Sequence, residues 1–277
     1  MALAIPGCAG IWLRGPAGPS LPGMTTSNAF HSLDGRVAIV TGASSGIGEA
    51  TARALAAGGA RVALLARRRE RLDAIAGELG DAAVAIGVDV TDPDDLAEAA
   101  RAVTTRLGRA DLVVANAGVM LPAGIEKLRA DEWRRMIDIN VTGVLDTVRA
   151  FVPALLEAAE RGPAADLVTI SSIAARVRFP DYAVYGATKA AVTALAEGLR
   201  VELSGRGVRI TNIEPGMVAS ELREHATDAD AQAVLREWEE STPPIAAADV
   251  GDLIVYLASR PRHVNVPQLT ILPTHQV

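Results

Sequence analysis

Tyr185 and Lys189, in Val184-Tyr185-Gly186-Ala187-Thr188-Lys189-Ala190, place a phenol and an ammonium four residues apart, a spacing that puts both on one helix face. A phenol titrates near pH ~10, so a neighbouring cation is what lets it give up and regain a proton close to neutrality. The pair predicts a general acid/base, with Tyr185 as the proton carrier and Lys189 as the cation favouring its phenolate. Tyr182 lies three residues earlier and is the alternative phenol.

A second group of residues points to a nucleotide. Val37-Ala38-Ile39-Val40 is an apolar run that ends in Thr41-Gly42-Ala43-Ser44-Ser45-Gly46-Ile47-Gly48, and Glu49-Ala50-Thr51-Ala52-Arg53-Ala54-Leu55 is helix-forming. This reads as strand, glycine turn, helix. Gly42 permits the tight turn, Gly46 lets backbone approach a pyrophosphate, and Gly48 lets helix pack closely on strand. The free N–H groups and positive dipole end of the helix N-terminus favour phosphate oxygens.

These residues need a scaffold, and the pattern supplies one. Short strands apolar on both faces are expected near 36–41, 61–65, 83–88, 111–115, 165–170, 207–213 and 268–273, separated by helix-patterned stretches. Such runs suit a parallel sheet covered by helices on both sides. The expected fold is α/β, a Rossmann-type doubly wound parallel sheet of about seven strands in a single domain over 31–277. In such sheets ligands sit beyond the carboxyl ends of the strands, and Gly42, Arg67, Asp89, Asn116, Ser172 and Pro215 all follow strands.

Composition narrows the classes. With 277 residues, 49% of them hydrophobic, the chain can bury a large core. Net charge is −6 and cations form no run beyond Arg67-Arg68-Arg69, which argues against a nucleic-acid groove. Cys8 is the only cysteine, which rules out an internal disulfide and a multi-cysteine metal site and fits a cytoplasmic location. The four histidines, His31, His225, His263 and His275, have no metal-ligand spacing. Residues 1–30 are rich in Gly, Pro, Ala and Ser and are expected to be a disordered extension, with Met24 a plausible start. No later stretch is expected to span a bilayer.

Taken in order, the glycine turn, Asp89-Val90, Asn116-Ala117-Gly118, Asn140, Ser172, Tyr185 with Lys189, and Pro215-Gly216 resemble the short-chain dehydrogenase/reductase family over about residues 33–277. The resemblance implies a catalytic set of Asn140, Ser172, Tyr185 and Lys189. Ser172 precedes the tyrosine by the family's thirteen residues, which selects it over Ser171, and would orient the substrate oxygen. Lys189 would hold the nicotinamide ribose as well as lower the Tyr185 pKa, and Asn140 would hold a water relaying protons to Lys189. The implied cofactor contacts run from Gly42 through Ser44, Ser45, Gly46, Ile47 and Gly48 to Arg67 and Arg68. They continue with Asp89, Val90, Asn116, Ala117 and Gly118, then Tyr185, Lys189, Pro215, Gly216 and Val218.

Cofactor choice is read after the second strand. An acidic residue about 20 positions beyond the glycine turn would bond the ribose 2′-hydroxyl of NAD. Ala66 stands there and Arg67 follows, with a planar fork suited to a 2′-phosphate. NADP(H) is expected, through Arg67, with Arg69 solvating the next helix and Arg68 intermediate. Ala115 replaces the first of the family's paired asparagines and Ala175 a frequent glycine. The pattern is most similar to NADP-dependent serine or 3-hydroxy acid dehydrogenases and clavulanate-type aldehyde reductases. A small carbonyl or alcohol substrate and a homo-oligomer, tetramer or dimer, are implied. Residues 217–245 are expected to form a helical lid, and Arg176 or Arg178 could meet an anionic substrate. A non-catalytic dinucleotide sensor of the same fold is the alternative, and a sugar-nucleotide epimerase a weaker one.

Overall fold

A computed structural model of the chain describes residues 32–162 and 164–276. The expected extension over 1–30 lies outside the described residues. Strand β1 (Val37–Thr41), helix α1 (Gly46–Ala57), β2 (Arg61–Ala66), α2 (Arg69–Leu79) and β3 (Ala83–Gly87) form the first winding. Helix α3 (Pro93–Arg106) then leads to β4 (Leu112–Ala115), followed by α4 (Ala130–Ile137), α5 (Gly143–Arg161), β5 (Ala165–Ile170), α6 (Ala183–Leu203) and β6 (Val208–Pro215). The remainder comprises β7 (Val218–Ala219), α7 (Ala229–Ser241), β8 (Ile245–Ala246), α8 (Ala247–Ala258) and β9 (Gln268–Ile271).

The main sheet has seven parallel strands in the order β3-β2-β1-β4-β5-β6-β9. Successive side chains of a strand face opposite sides, and both sides are covered. Ile39, Leu65, Val113 and Leu167 pack with Phe151 and Leu155 of α5. Val40, Leu64 and Val114 pack with Leu55 of α1 and Ile254 of α8. Two dry faces explain the continuous apolar runs of these strands. Between β1 and β4 the strand order reverses, opening a crevice at their carboxyl ends.

The amino ends of the strands are tied by buried charges. Arg36 pairs with Asp111 at 2.6 Å and with Asp166 at 2.7 Å, and Arg209 pairs with Asp166 at 2.6 Å. Arg36 and Arg209 also donate to the Ala258 carbonyl at the end of α8, each at 3.1 Å.

Three findings differ from or extend the sequence reading. A second, two-stranded sheet pairs β7 with β8 in parallel, Val218 opposite Ile245. The helical run Ala130–Arg161, 32 residues, contains a stretch long and apolar enough to cross a membrane by length and composition alone, contrary to expectation. Its apolarity has a local cause, because Val144, Phe151, Leu155, Ala158 and Ala159 are buried in the fold. That run also contains one turn of π-helix, Asp138–Thr142, between α4 and α5.

Candidate active site

The glycine turn is shaped by steric need. Gly42 and Gly46 have φ of 67° and 55°, a region L side chains avoid. A Cβ on Gly48 would lie 2.3 Å from the Gly42 carbonyl oxygen and 2.6 Å from Asn116 Nδ2, so only glycine fits there. Asn116 closes the turn from the β4 side, its Nδ2 donating to the Thr41 carbonyl at 2.9 Å.

Along the turn runs a cavity of about 350 Å³ that continues to Tyr185. Its walls include Gly42, Ser44, Ser45, Gly46 and Ile47, then Arg67, Arg68, Asp89 and Val90. Asn116, Ala117 and Gly118 follow, with Ser172, Tyr185, Lys189, Pro215, Gly216 and Val218 beyond them. The structure thus gathers nearly all the expected residues in one crevice. Gly48 and Asn140 are not on its walls: Gly48 is spent on packing, and Asn140 lies fully buried behind the site.

Tyr185 and Lys189 rise from the first turns of α6, and Lys189 Nζ stands 5.8 Å from the centre of the Tyr185 ring. Both are buried, at 5% exposure each. Burial pushes the Tyr185 phenol up to about 12, opposed by a hydrogen bond from Ser172. Burial also pulls Lys189 down to about 8. The sequence reading has Lys189 lowering Tyr185; among the chain's own groups desolvation wins instead, and the phenol is held protonated. Tyr182 is raised further, by burial and by Tyr185 and Asp181, so it is the poorer acid.

Lys189 Nζ donates to the Ile170 carbonyl at 3.0 Å, and Ser171 Oγ donates to the Lys189 carbonyl at 2.8 Å. These two bonds lock the helix start onto the end of β5. Ser172 caps the short turn after β5, accepting from the Ala174 N–H at 3.1 Å. Asn140 sits in the π-helical turn, a distortion often found at functional sites. Its Oδ1 accepts from Val119 N at 2.8 Å, and its Nδ2 donates to the Val119 carbonyl at 2.9 Å and to Thr188 Oγ1 at 3.1 Å. The side chain expected to hold a water is committed to fixing the strand-exit loop against α6. A Cβ on Gly118 would lie 3.2 Å from Asn140 Oδ1 and 3.5 Å from Lys189 Nζ, so this glycine is what lets the loop pass between them.

The arginines after β2 divide differently from expectation. Arg68 crosses the glycine turn, its Nε donating to Ser44 Oγ at 3.0 Å and its Nη2 to Ser45 Oγ at 2.6 Å. Arg67, also on the cavity wall, is 59% exposed with Asp89 4.0 Å distant. Arg69 pairs with Asp73 one turn on, as expected of a solvated helix start. Arg176 is bound to the buried Glu214 at 2.8 Å, and Arg178 donates to the carbonyls of Ala174 and Ala175. Neither lines the cavity, which removes the expected anion contact.

The family model of the short chain dehydrogenases matches residues 36–231. The chain belongs to the short-chain dehydrogenase/reductase family. Serine 3-dehydrogenase of Agrobacterium fabrum is 37% identical over 239 residues, 86% of this chain and 94% of that protein. Glycine betaine reductase of Emericella nidulans is 40% identical over 245 residues, 87% of this chain, which spans only 19% of that relative's length. Among solved structures, a closed serine dehydrogenase complexed with NADP+ superposes with a TM-score of 0.81 at 30% identity, covering 87% of this chain and 96% of the other. A 3-ketoacyl-(acyl-carrier-protein) reductase from Brucella melitensis complexed with NADH superposes with a TM-score of 0.80 at 28% identity, covering 89% and 100%.

Some wall residues of this short-chain dehydrogenase escaped the sequence reading. Ser220 faces the turn, its Cβ 3.0 Å from where a side chain on Gly46 would begin. Gln276 Oε1 accepts from Met217 N at 2.8 Å and reaches the cavity. Tyr182, the alternative phenol of the sequence, meets Phe179 and Trp238 on the same wall; the three come from two distant segments, and what sequence did not show is that they meet.

Proposed function

We propose that this protein is an NADP(H)-dependent oxidoreductase that interconverts a small carbonyl compound and its alcohol, with Tyr185 as the general acid/base. The observation that carries this reading is the buried Tyr185, bonded by Ser172 and flanked by Lys189, on the wall of the cavity that runs from the glycine turn. The residues present fit a phosphorylated dinucleotide. The turn offers Ser44, Ser45 and the α1 N-terminus for its diphosphate, Lys189 for ribose hydroxyls, and Arg68, beside Arg67, for a 2′-phosphate.

The bound dinucleotide supplies or accepts the hydride. Tyr185, protonated at neutral pH because it is buried, gives its proton to the carbonyl oxygen during reduction; in oxidation it must first release that proton, and its phenolate then takes the hydroxyl proton. Ser172 holds that oxygen in place. Lys189 stabilises the phenolate left behind. Asn140 keeps Val119 and Thr188 in register, so that Gly118 and Lys189 stay in contact. The test is to follow NADPH absorbance with a panel of aldehydes, ketones and hydroxy acids. No consumption of NADPH with any of them, at a concentration where the protein is saturated with it, would sink the reading.

A further inference from the structure

Beyond Tyr185 the cavity is walled by rings. Tyr182 lies edge-on to Tyr185 at 6.0 Å between centroids and stacks with Trp238 at 5.9 Å. Phe179 tilts against Trp238 at 5.4 Å. All three rings line the cavity, together with Met217, Leu222 and Leu235. Phe179 and Tyr182 come from the loop before α6, whereas Trp238 comes from α7 in the lid, so the wall exists only where the lid meets the catalytic loop.

Most of the charge around this wall is already engaged. Arg223 is paired with Glu239, its buried Nε alone lacking a partner among the described residues. Glu221 is shared between Arg68 and Arg71. His225 is kept from charging by burial and by nearby arginines. Lys127 is held by Asp228 at 2.7 Å. A substrate carboxylate or ammonium would therefore enter an aromatic pocket whose nearby charges are largely neutralised by one another, losing hydration with little replacement. An uncharged ring would gain apolar and edge-to-face contacts there.

We infer that the substrate is an uncharged ketone or secondary alcohol bearing an aromatic ring, which packs against Trp238, Tyr182 and Phe179 while its oxygen meets Tyr185 and Ser172. This rests on the oxidoreductase reading above and narrows it away from hydroxy and amino acids. In the oxidation the carbinol C–H bond breaks with its electron pair passing to NADP+, the hydroxyl proton passes to the Tyr185 phenolate, and the ketone leaves.

The full-length protein is assayed with NADP+ and 1-phenylethanol, 2-propanol, L-serine and 3-hydroxybutyrate, the first two differing only by the ring. The expected kcat/KM for 1-phenylethanol exceeds the other three by about ten- to hundred-fold, the value of burying one ring. Trp238→Ala brings the ratio of 1-phenylethanol to 2-propanol to within about threefold, chiefly through KM, while Trp238→Phe keeps most of it. A folding defect would lower both rates and leave their ratio unchanged. Preference for serine or 3-hydroxybutyrate overturns this inference and leaves the oxidoreductase reading standing, as does a ratio indifferent to Trp238→Ala. If no alcohol is turned over but acetophenone quenches tryptophan fluorescence in wild type and not in Trp238→Phe, the ring site stands and hydride transfer falls. Neither turnover nor quenching overturns both.

Discussion

Burial acts on Tyr185 and Lys189 in opposite chemical senses, holding the phenol protonated and drawing the ammonium towards neutrality. Tyr185→Phe removes one oxygen and keeps the ring, so turnover should fall by about two orders of magnitude or more while NADPH affinity and melting temperature persist. Steady-state rates beside a fluorescence titration check this. Lys189 gives a stability prediction whose sign is fixed by its shift. Unfolded, it keeps its proton to about pH 10.5; folded, to about 8. Between those values the unfolded chain binds more protons, so this group makes the fold more stable as pH rises from 8 to 10.5. Below pH 8 the penalty is present in full, roughly 3 kcal/mol for such a shift. Lys189→Met should therefore melt several degrees higher than wild type at pH 7 in the absence of cofactor, with the gap closing towards pH 10, even as cofactor binding and turnover decline. Thermal melts across that range decide it. The pairing of these residues was legible because helical spacing alone puts them on one face. The direction of the tyrosine's shift was not, since it depends on how deeply the surrounding loops bury the ring.

The turn after β2 and the lid helix show where elements constrain chemistry. Consecutive residues leaving a strand point in different directions, and here Arg68 lies over Ser44 and Ser45 while Arg67 stands near Asp89 on the same cavity wall. Arg68→Ala should weaken NADPH by about ten- to hundred-fold, the worth of a charge-assisted bond, with little change for NADH, and Arg67→Ala should cost less. Dissociation constants for both nucleotides are the measurement. Sequence spacing favoured Arg67 as the phosphate partner, whereas we propose Arg68; one-residue differences in direction are set by the turn's dihedrals, which spacing does not give. The strands were read to within a few residues, since two covered faces leave an uninterrupted apolar run. The lid's anchors were not, since they pair residues about a hundred positions apart. Asp228 caps α7 by accepting from Ala231 N at 3.1 Å and binds Lys127 and Arg129 at 2.7 and 3.0 Å. Asp228→Ala removes the cap and both ion pairs. Hydrogen exchange over 229–241 should accelerate, by about fivefold for a cap worth ~1 kcal/mol and more with the pairs, and KM should rise.

Across the whole molecule the two ends of the sheet do different work. The carboxyl ends carry the chemistry, and the amino ends carry the Arg36, Asp111, Asp166 and Arg209 network. Removing Asp166 leaves two buried guanidinium groups short of a partner, so Asp166→Ala should lower unfolding free energy by about 3–5 kcal/mol. Urea denaturation would measure that loss, and kcat/KM at a temperature where the variant is folded should be nearly unchanged, because β5 delivers Ser172 from its far end. The small sheet of β7 and β8 has a different reach. With Val218 beside Ile245, the chain leaves the body and returns to it through one doorway. The cost of closing a loop grows only slowly with its length, so what lies between these two feet beyond the Ser220, Glu221 and Asp228 anchors is open to exchange. A graft of a foreign segment from 222 to 244 that retains Asp228, leaving Ser220 against the glycine turn and Glu221 on Arg68, would keep the proposed dinucleotide cradle and proton carrier while replacing half of the proposed substrate wall. Selectivity in this molecule is thus a cassette, physically separable from the reaction it serves.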